Sequence, residues 1–161
     1  MSVDRPDETE AERADRNMGE LLQELRVAQT GVQILFAFLL TMPLQARFEK
    51  LDRVERGVFM TSLILSALAT ACLIAPVAHH RVLFRRRVKD WLVHSANRMA
   101  LAGLALLALA ISSAVQLVLD LVMGRAASVG IAGALALVLV VVWWGVPLAR
   151  RAEAERREED G

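Results

Sequence analysis

The chain has 161 residues, of which 55% are hydrophobic and 23% are charged, and its formal net charge is +1. Because the apolar residues form long uninterrupted runs, this composition excludes an ordinary soluble domain and indicates an integral membrane protein. The single cysteine, Cys72, excludes both an intramolecular disulfide and a metal site built from cysteines.

The distribution of the apolar runs predicts an all-α fold, namely an integral membrane four-helix bundle with an interfacial connector helix. Residues 1–16 alternate charges and have little to bury, which predicts a disordered tail. A four-span membrane domain follows over residues 17–149, and residues 150–161 form a second charged tail. The predicted spans are residues 27–43, 57–77, 97–120 and 129–148.

The first predicted span is short and carries polar residues. The distance from Arg26 to Pro43 along a helix is about 25 Å, compared with roughly 30 Å for the hydrocarbon core of a bilayer. Arg26, Gln29, Thr30 and Gln33 recur at the spacing of one helix face. An amide facing lipid would have no hydrogen-bond partner, so we expect this face to contact other helices. Two interpretations remain, interhelical hydrogen bonding and a path for a substrate or ion.

The segments between the spans are amphipathic. Residues 44–56 predict a connector helix, with Glu49–Arg53 and Asp52–Arg56 as i, i+4 ion pairs. Residues 81–98 predict a second interfacial helix, because an apolar stripe lies beside basic side chains. These basic residues are predicted to bind anionic lipid headgroups: Arg85, Arg86, Arg87 and Lys89. The apolar stripe favours a membrane over nucleic acid as the partner.

The candidate site lies where the first and third spans begin and the second span ends. It comprises Arg26, Gln29, Thr30, Gln33, His79, His80, His94 and Asn97. Adjacent histidines point in different directions on a helix and have no carboxylate beside them, so we expect no metal and no cofactor. Gln116 and Asp120 form a second polar pair at the opposite end of the third span.

Basic residues predict the orientation of the chain. With four spans, 14 of the 19 Lys and Arg residues lie on the side of the two termini and the middle loop. The positive-inside rule therefore places both termini in the cytoplasm of a bacterial cell, with the chain as a multi-pass protein of the inner membrane.

The predicted function is that of an accessory or scaffolding protein, which acts through partner helices, a second copy or lipid. The alternative is a small cation transporter or channel, although the middles of the spans carry no carboxylate that could titrate. A glycine-rich phosphate loop, a nucleophile elbow and a carboxylate pair are absent from the sequence, so we expect no catalytic residues and no enzyme activity.

Two stretches, Glu20–Leu40 and Ala75–Arg85, resemble a family of small actinobacterial integral membrane proteins of unknown function. The likeness extends over most of residues 10–125. The resemblance implies four spans, and it also implies a sodium/proton antiporter as a candidate activity, because members of the family have carried that label.

Overall fold

The computed structural model describes residues 10–82 and 89–159, which are helical almost throughout. Its five α-helices are α1 (Glu10–Thr41), α2 (Arg53–Val82), α3 (Lys89–Met123), α4 (Arg125–Val140) and α5 (Val146–Glu159). No strand occurs within these two ranges, which confirms the predicted all-α bundle.

Helix α1 begins earlier than the sequence predicted. Residues 10–16, predicted to be disordered, form its first turns, whereas residues 1–9 lie outside the described residues. Extending an existing helix costs much less than nucleating one, and Arg16 pairs with Glu20 at 3.5 Å one turn later. At the other end α1 stops at Thr41, because Pro43 has no backbone N–H to continue the ladder.

The connector between α1 and α2 is divided, where the sequence predicted one helix over residues 44–56. Two short 3-10 turns, Met42–Leu44 and Ala46–Lys50, precede the start of α2. Asp52 fixes that start as a capping box: its Oδ1 accepts the backbone N–H groups of Val54 and Glu55, while Glu55 Oε2 accepts that of Asp52.

Helices α1, α2 and α3 form the packed part of the molecule. One buried cluster includes Leu25, Val32 and Leu73, and a second consists of Leu39, Phe59 and Leu117. We call the end with the second cluster, next to the two loops 42–52 and 124, the connector end, and the opposite end the terminal end. In the described part of the chain α4 has backbone contacts with α3 alone among the other long helices.

Small and hydroxylated side chains bring α2 and α3 together. Ser62 and Ser66 are fully buried in α2, and the Ser62 hydroxyl is hydrogen-bonded to that of Ser113 in α3 at 2.9 Å. Ser66 and Ser113 each donate to the carbonyl one turn earlier in their own helix, so the Ser113 oxygen accepts the single proton of the Ser62 hydroxyl. The two helices can therefore approach closely without leaving polar atoms unpaired.

The fourth apolar segment is continuous from α4 into α5 through a π turn. This turn covers Val141–Gly145, and the backbone N–H of Val146 bonds to the carbonyl of Val141, five residues earlier. Pro147 lies immediately beyond and cannot donate to a helical ladder, which accounts for the local widening. Residues 150–159, predicted as a charged tail, continue α5.

Four segments of the described chain are long and apolar enough to cross a membrane: Gly19–Leu44, Arg53–His79, Ser95–Met123 and Arg125–Arg156. Large apolar side chains such as Ile34, Ile64 and Val138 are exposed along them. Such broad apolar exposure suits hydrocarbon, not water, as the surrounding medium.

Candidate functional site

The four residues of the predicted polar face of the first span differ in how deeply they are buried. Gln29 is half-buried, whereas Arg26, Thr30 and Gln33 are exposed. Within the chain itself, the expectation that the whole face packs against other helices does not hold for Arg26, Thr30 and Gln33. The reason is that Val32 is fully buried and directs α1 so that the following residue points about 100° away.

Gln29 connects α1 with α2. Its side-chain amide donates a hydrogen bond of 2.7 Å to the carbonyl oxygen of Leu73. Leu73 lies three residues before Pro76, which is buried inside α2 and interrupts the helical ladder there. The carbonyl that Pro76 leaves without a helical N–H partner is that of Cys72, so the Gln29 amide bonds one residue beyond that gap.

Gly103 of α3 lies against α2 at Leu73, the residue whose carbonyl accepts the Gln29 hydrogen bond. A Cβ atom at this glycine would lie 2.8 Å from Cγ and Cδ2 of Leu73 and 3.3 Å from Cβ of Cys72. The space for a side chain is already occupied, so Gly103 sets the closest approach between α2 and α3.

Thr30 and Gln33 belong to the exposed surface of α1. The Thr30 hydroxyl donates to the carbonyl of Arg26 in its own helix at 3.0 Å, which satisfies it locally. Gln33 lies close to the middle of the segment Gly19–Leu44 and is exposed there. This places an amide, with two donors and an acceptor, on an otherwise apolar outer surface.

The remaining members of the predicted terminal-end cluster are placed only in part. His79 is half-buried near the end of α2, and Asn97 is exposed in α3. The side chains of His80 and His94 lie outside the described residues, as does the side chain of Lys89. Residues 83–88, with the basic residues Arg85, Arg86 and Arg87, lie outside them entirely. The described side chains form no group of three or more His, Cys, Asp or Glu that could hold a metal ion.

The connector end contains an ion-pair network that sequence reasoning missed. Arg125, at the start of α4, donates through Nη2 to Asp52 Oδ2 at 2.5 Å and through Nε to Asp120 Oδ2 at 3.4 Å. Asp120 Oδ1 accepts the hydroxyl of the fully buried Ser128 at 3.1 Å. The network therefore joins the α1–α2 connector to both helices of the second hairpin.

The predicted partners of these residues differ from the observed ones. Asp52 was expected to pair with Arg56, but Arg56 donates to the backbone carbonyls of Leu51 and Glu49 instead. Gln116, predicted to accompany Asp120, is half-buried one turn earlier in α3. The backbone N–H of Glu55 and the guanidinium of Arg125 hold the pKa of the Asp52 carboxyl below its ordinary value.

The fold defines the class of protein to which the chain belongs. An all-helical chain with four apolar segments of membrane-spanning length has the architecture of a multi-pass membrane protein. The Family of unknown function (DUF6328) matches residues 7–147, and the chain belongs to this family. Searches of curated proteins and of solved structures each found no match. The predicted resemblance to a family of unknown function is thereby confirmed.

Proposed function

We propose that the protein is an accessory or scaffolding protein of the membrane, whose α1 surface binds a helix of a membrane partner. The observation that carries this proposal is the exposed amide of Gln33 near the middle of the first apolar segment. An amide gains about 0.6 kcal/mol per interhelical hydrogen bond within a membrane, whereas hydrocarbon offers it no partner.

The residues around Gln33 support a helical partner. Among the many exposed positions of α1, one set that includes Gln33 recurs in steps of three and four. Its members are Gln23, Arg26, Thr30, Gln33, Ala37 and Leu40. This is the spacing at which one helix contacts another in left-handed packing, with small residues allowing close approach. The proposal involves no catalysis, cofactor or nucleic acid.

Photo-crosslinking from position 33 tests the α1 surface. A photoreactive amino acid replacing Gln33 should give a protein adduct in native membranes, whereas the same group replacing the exposed Ile64 of α2 should label lipid. The adduct mass distinguishes a second copy from a different protein. With the photoreactive group at Ala37 instead, Gln33→Leu should reduce the yield of adduct about threefold.

The matched control is Thr61→Val, because Thr61 is exposed on α2 and its hydroxyl bonds to its own helix. This variant should leave the Ala37 adduct unchanged. Lipid adducts alone at position 33 would contradict the proposal. Ion flux in liposomes that contain only this chain, abolished by substitution of Gln29, Gln33 or Asp120, would favour the transporter instead.

The proposal includes a location, the bacterial cell membrane of an actinobacterium, with both termini in the cytoplasm. It is supported by the excess of basic residues on the side of the termini. An enzyme reporter that is active only outside the cytoplasm should be silent when fused after Gly161. The same reporter fused after Gly124, in the turn between α3 and α4, should be active. The reverse pattern would overturn the orientation.

A further inference from the structure

A groove runs between α1 and α3 toward the connector end, and it consists of three cavities that share lining residues. The first, of about 330 Å³, is lined by apolar side chains alone, among them Phe38 and Met42 of α1 and Val115 of α3. A second cavity of about 330 Å³ shares Phe38 and Met42 with the first. Together they form a slot that opens on the outer surface, apolar throughout the first cavity and bordered by Thr41, Gln45 and Arg47 in the second.

The third cavity lies at the mouth of this slot and is charged. Its volume is about 590 Å³, and it shares Arg47, Leu51 and Leu121 with the second cavity. Lys50 also lines it. Arg47 and Lys50 are three residues apart in the 3-10 turn Ala46–Lys50, where side chains at this spacing lie above one another. Two exposed cations therefore face the same opening.

The groups around the two cations favour an anion. The Arg47 guanidinium makes one long hydrogen bond, of 3.4 Å, to the Leu121 carbonyl, which leaves most of its five N–H donors for a ligand. Glu55 lines the same cavity, but its Oε2 is engaged by the backbone N–H of Asp52 at 2.7 Å. Two cations and one carboxylate leave the mouth with a net positive charge.

We propose that this groove binds an anionic phospholipid, with its phosphate at Arg47 and Lys50 and an acyl chain in the apolar slot. A peptide would leave backbone amides unpaired in a slot lined by apolar side chains, and a free phosphate would leave that slot unfilled. Each of the three cavities has a volume in the range of ligand pockets, roughly 300–1,000 Å³. This site goes beyond the proposed function, and its two cations belong to the α1–α2 connector.

Native mass spectrometry of the purified full chain tests the headgroup part of the site. Phosphatidylglycerol and phosphatidylcholine with identical acyl chains are offered in competition, and the chain should retain one phosphatidylglycerol preferentially. The double substitution Arg47→Gln/Lys50→Gln should reduce this preference about thirtyfold, as the attraction of two basic residues to an anionic headgroup implies. Arg53→Gln, on an exposed residue that does not line the groove, is the matched control.

The slot is tested separately by filling it. Ala114 lines the wholly apolar cavity, so Ala114→Phe should lower the retention of both lipids, whereas Ala67→Phe on the exposed side of α2 should not. The charge variants test the site even where Ala114→Phe fails to fold. An unchanged preference in Arg47→Gln/Lys50→Gln would overturn the proposal. Displacement of the lipid by soluble glycerol phosphate would assign the mouth to a free phosphate compound and would overturn it too.

Discussion

Replacing Gly103 with alanine should lower the free energy of unfolding by about 1–3 kcal/mol, the cost of inserting a methyl group into a filled core. The new Cβ would lie 2.8 Å from Cγ of Leu73, which is fully buried. Gly103→Leu should have a larger effect and separate α2 from α3. Thermal and denaturant unfolding in detergent, followed by circular dichroism, measures both variants.

Gly130→Ala is the matched control for this prediction. Nothing lies within 4 Å of a Cβ at Gly130 in α4, so alanine should stabilise the helix by up to about 1 kcal/mol. The opposite signs of the two substitutions separate packing from helix propensity. The loss in Gly103→Ala/Leu73→Ala should be smaller than the sum of the two single losses, because Leu73→Ala removes the clashing atoms. A neutral Gly103→Ala would contradict the close approach of α2 and α3.

Replacing Arg125 with glutamine should give the largest loss of thermal stability among single substitutions at the connector end. Arg125 contacts two carboxylates, and the Asp120 side chain is only 4% exposed. Without the guanidinium, Asp120 would keep a charge that water reaches poorly, with only the Ser128 hydroxyl as a side-chain donor. The melting temperature in detergent measures the loss, which should exceed that of Asp52→Asn.

A double substitution distinguishes this electrostatic cause from a general loss of packing. Asp120→Asn removes the carboxylate charge, so Asp120→Asn/Arg125→Gln should be more stable than Arg125→Gln alone. Arg125→Lys should retain part of the stability. The lysine ammonium keeps the positive charge but lacks the planar guanidinium that contacts Asp52 and Asp120 at the same time. Equal melting temperatures for Arg125→Gln and the double variant would show that the Asp120 charge does not cause the loss.

The four helical segments could be predicted because long apolar runs leave few alternatives in a membrane. The direction in which each helix faces was harder to predict, and α1 shows why. Leu25, Val32 and Leu39 recur on one face and are buried, which was a readable signal for the packed side. Following the polar residues instead grouped Gln29 with Gln33, although only Gln29 lies beside another helix.

The connector illustrates a second limit. The capping box of Asp52 and Glu55 was present in the sequence and could have placed the start of α2 at Arg53. The pairing of Asp52 with Arg125 could not have been found in the same way. It joins residues 73 positions apart, and local spacing favoured Arg56 as the partner. Three-dimensional proximity of the two loops decides this contact.

That contact has a consequence for biogenesis. A nascent chain inserts its helices before they associate laterally, and α1–α2 and α3–α4 are successive hairpins. The bond between Asp52 and Arg125 links one hairpin loop to the other, so it can form only after both have been delivered to the same leaflet. This ion pair therefore forms at the end of assembly. A stalled intermediate with only three helices inserted would lack it.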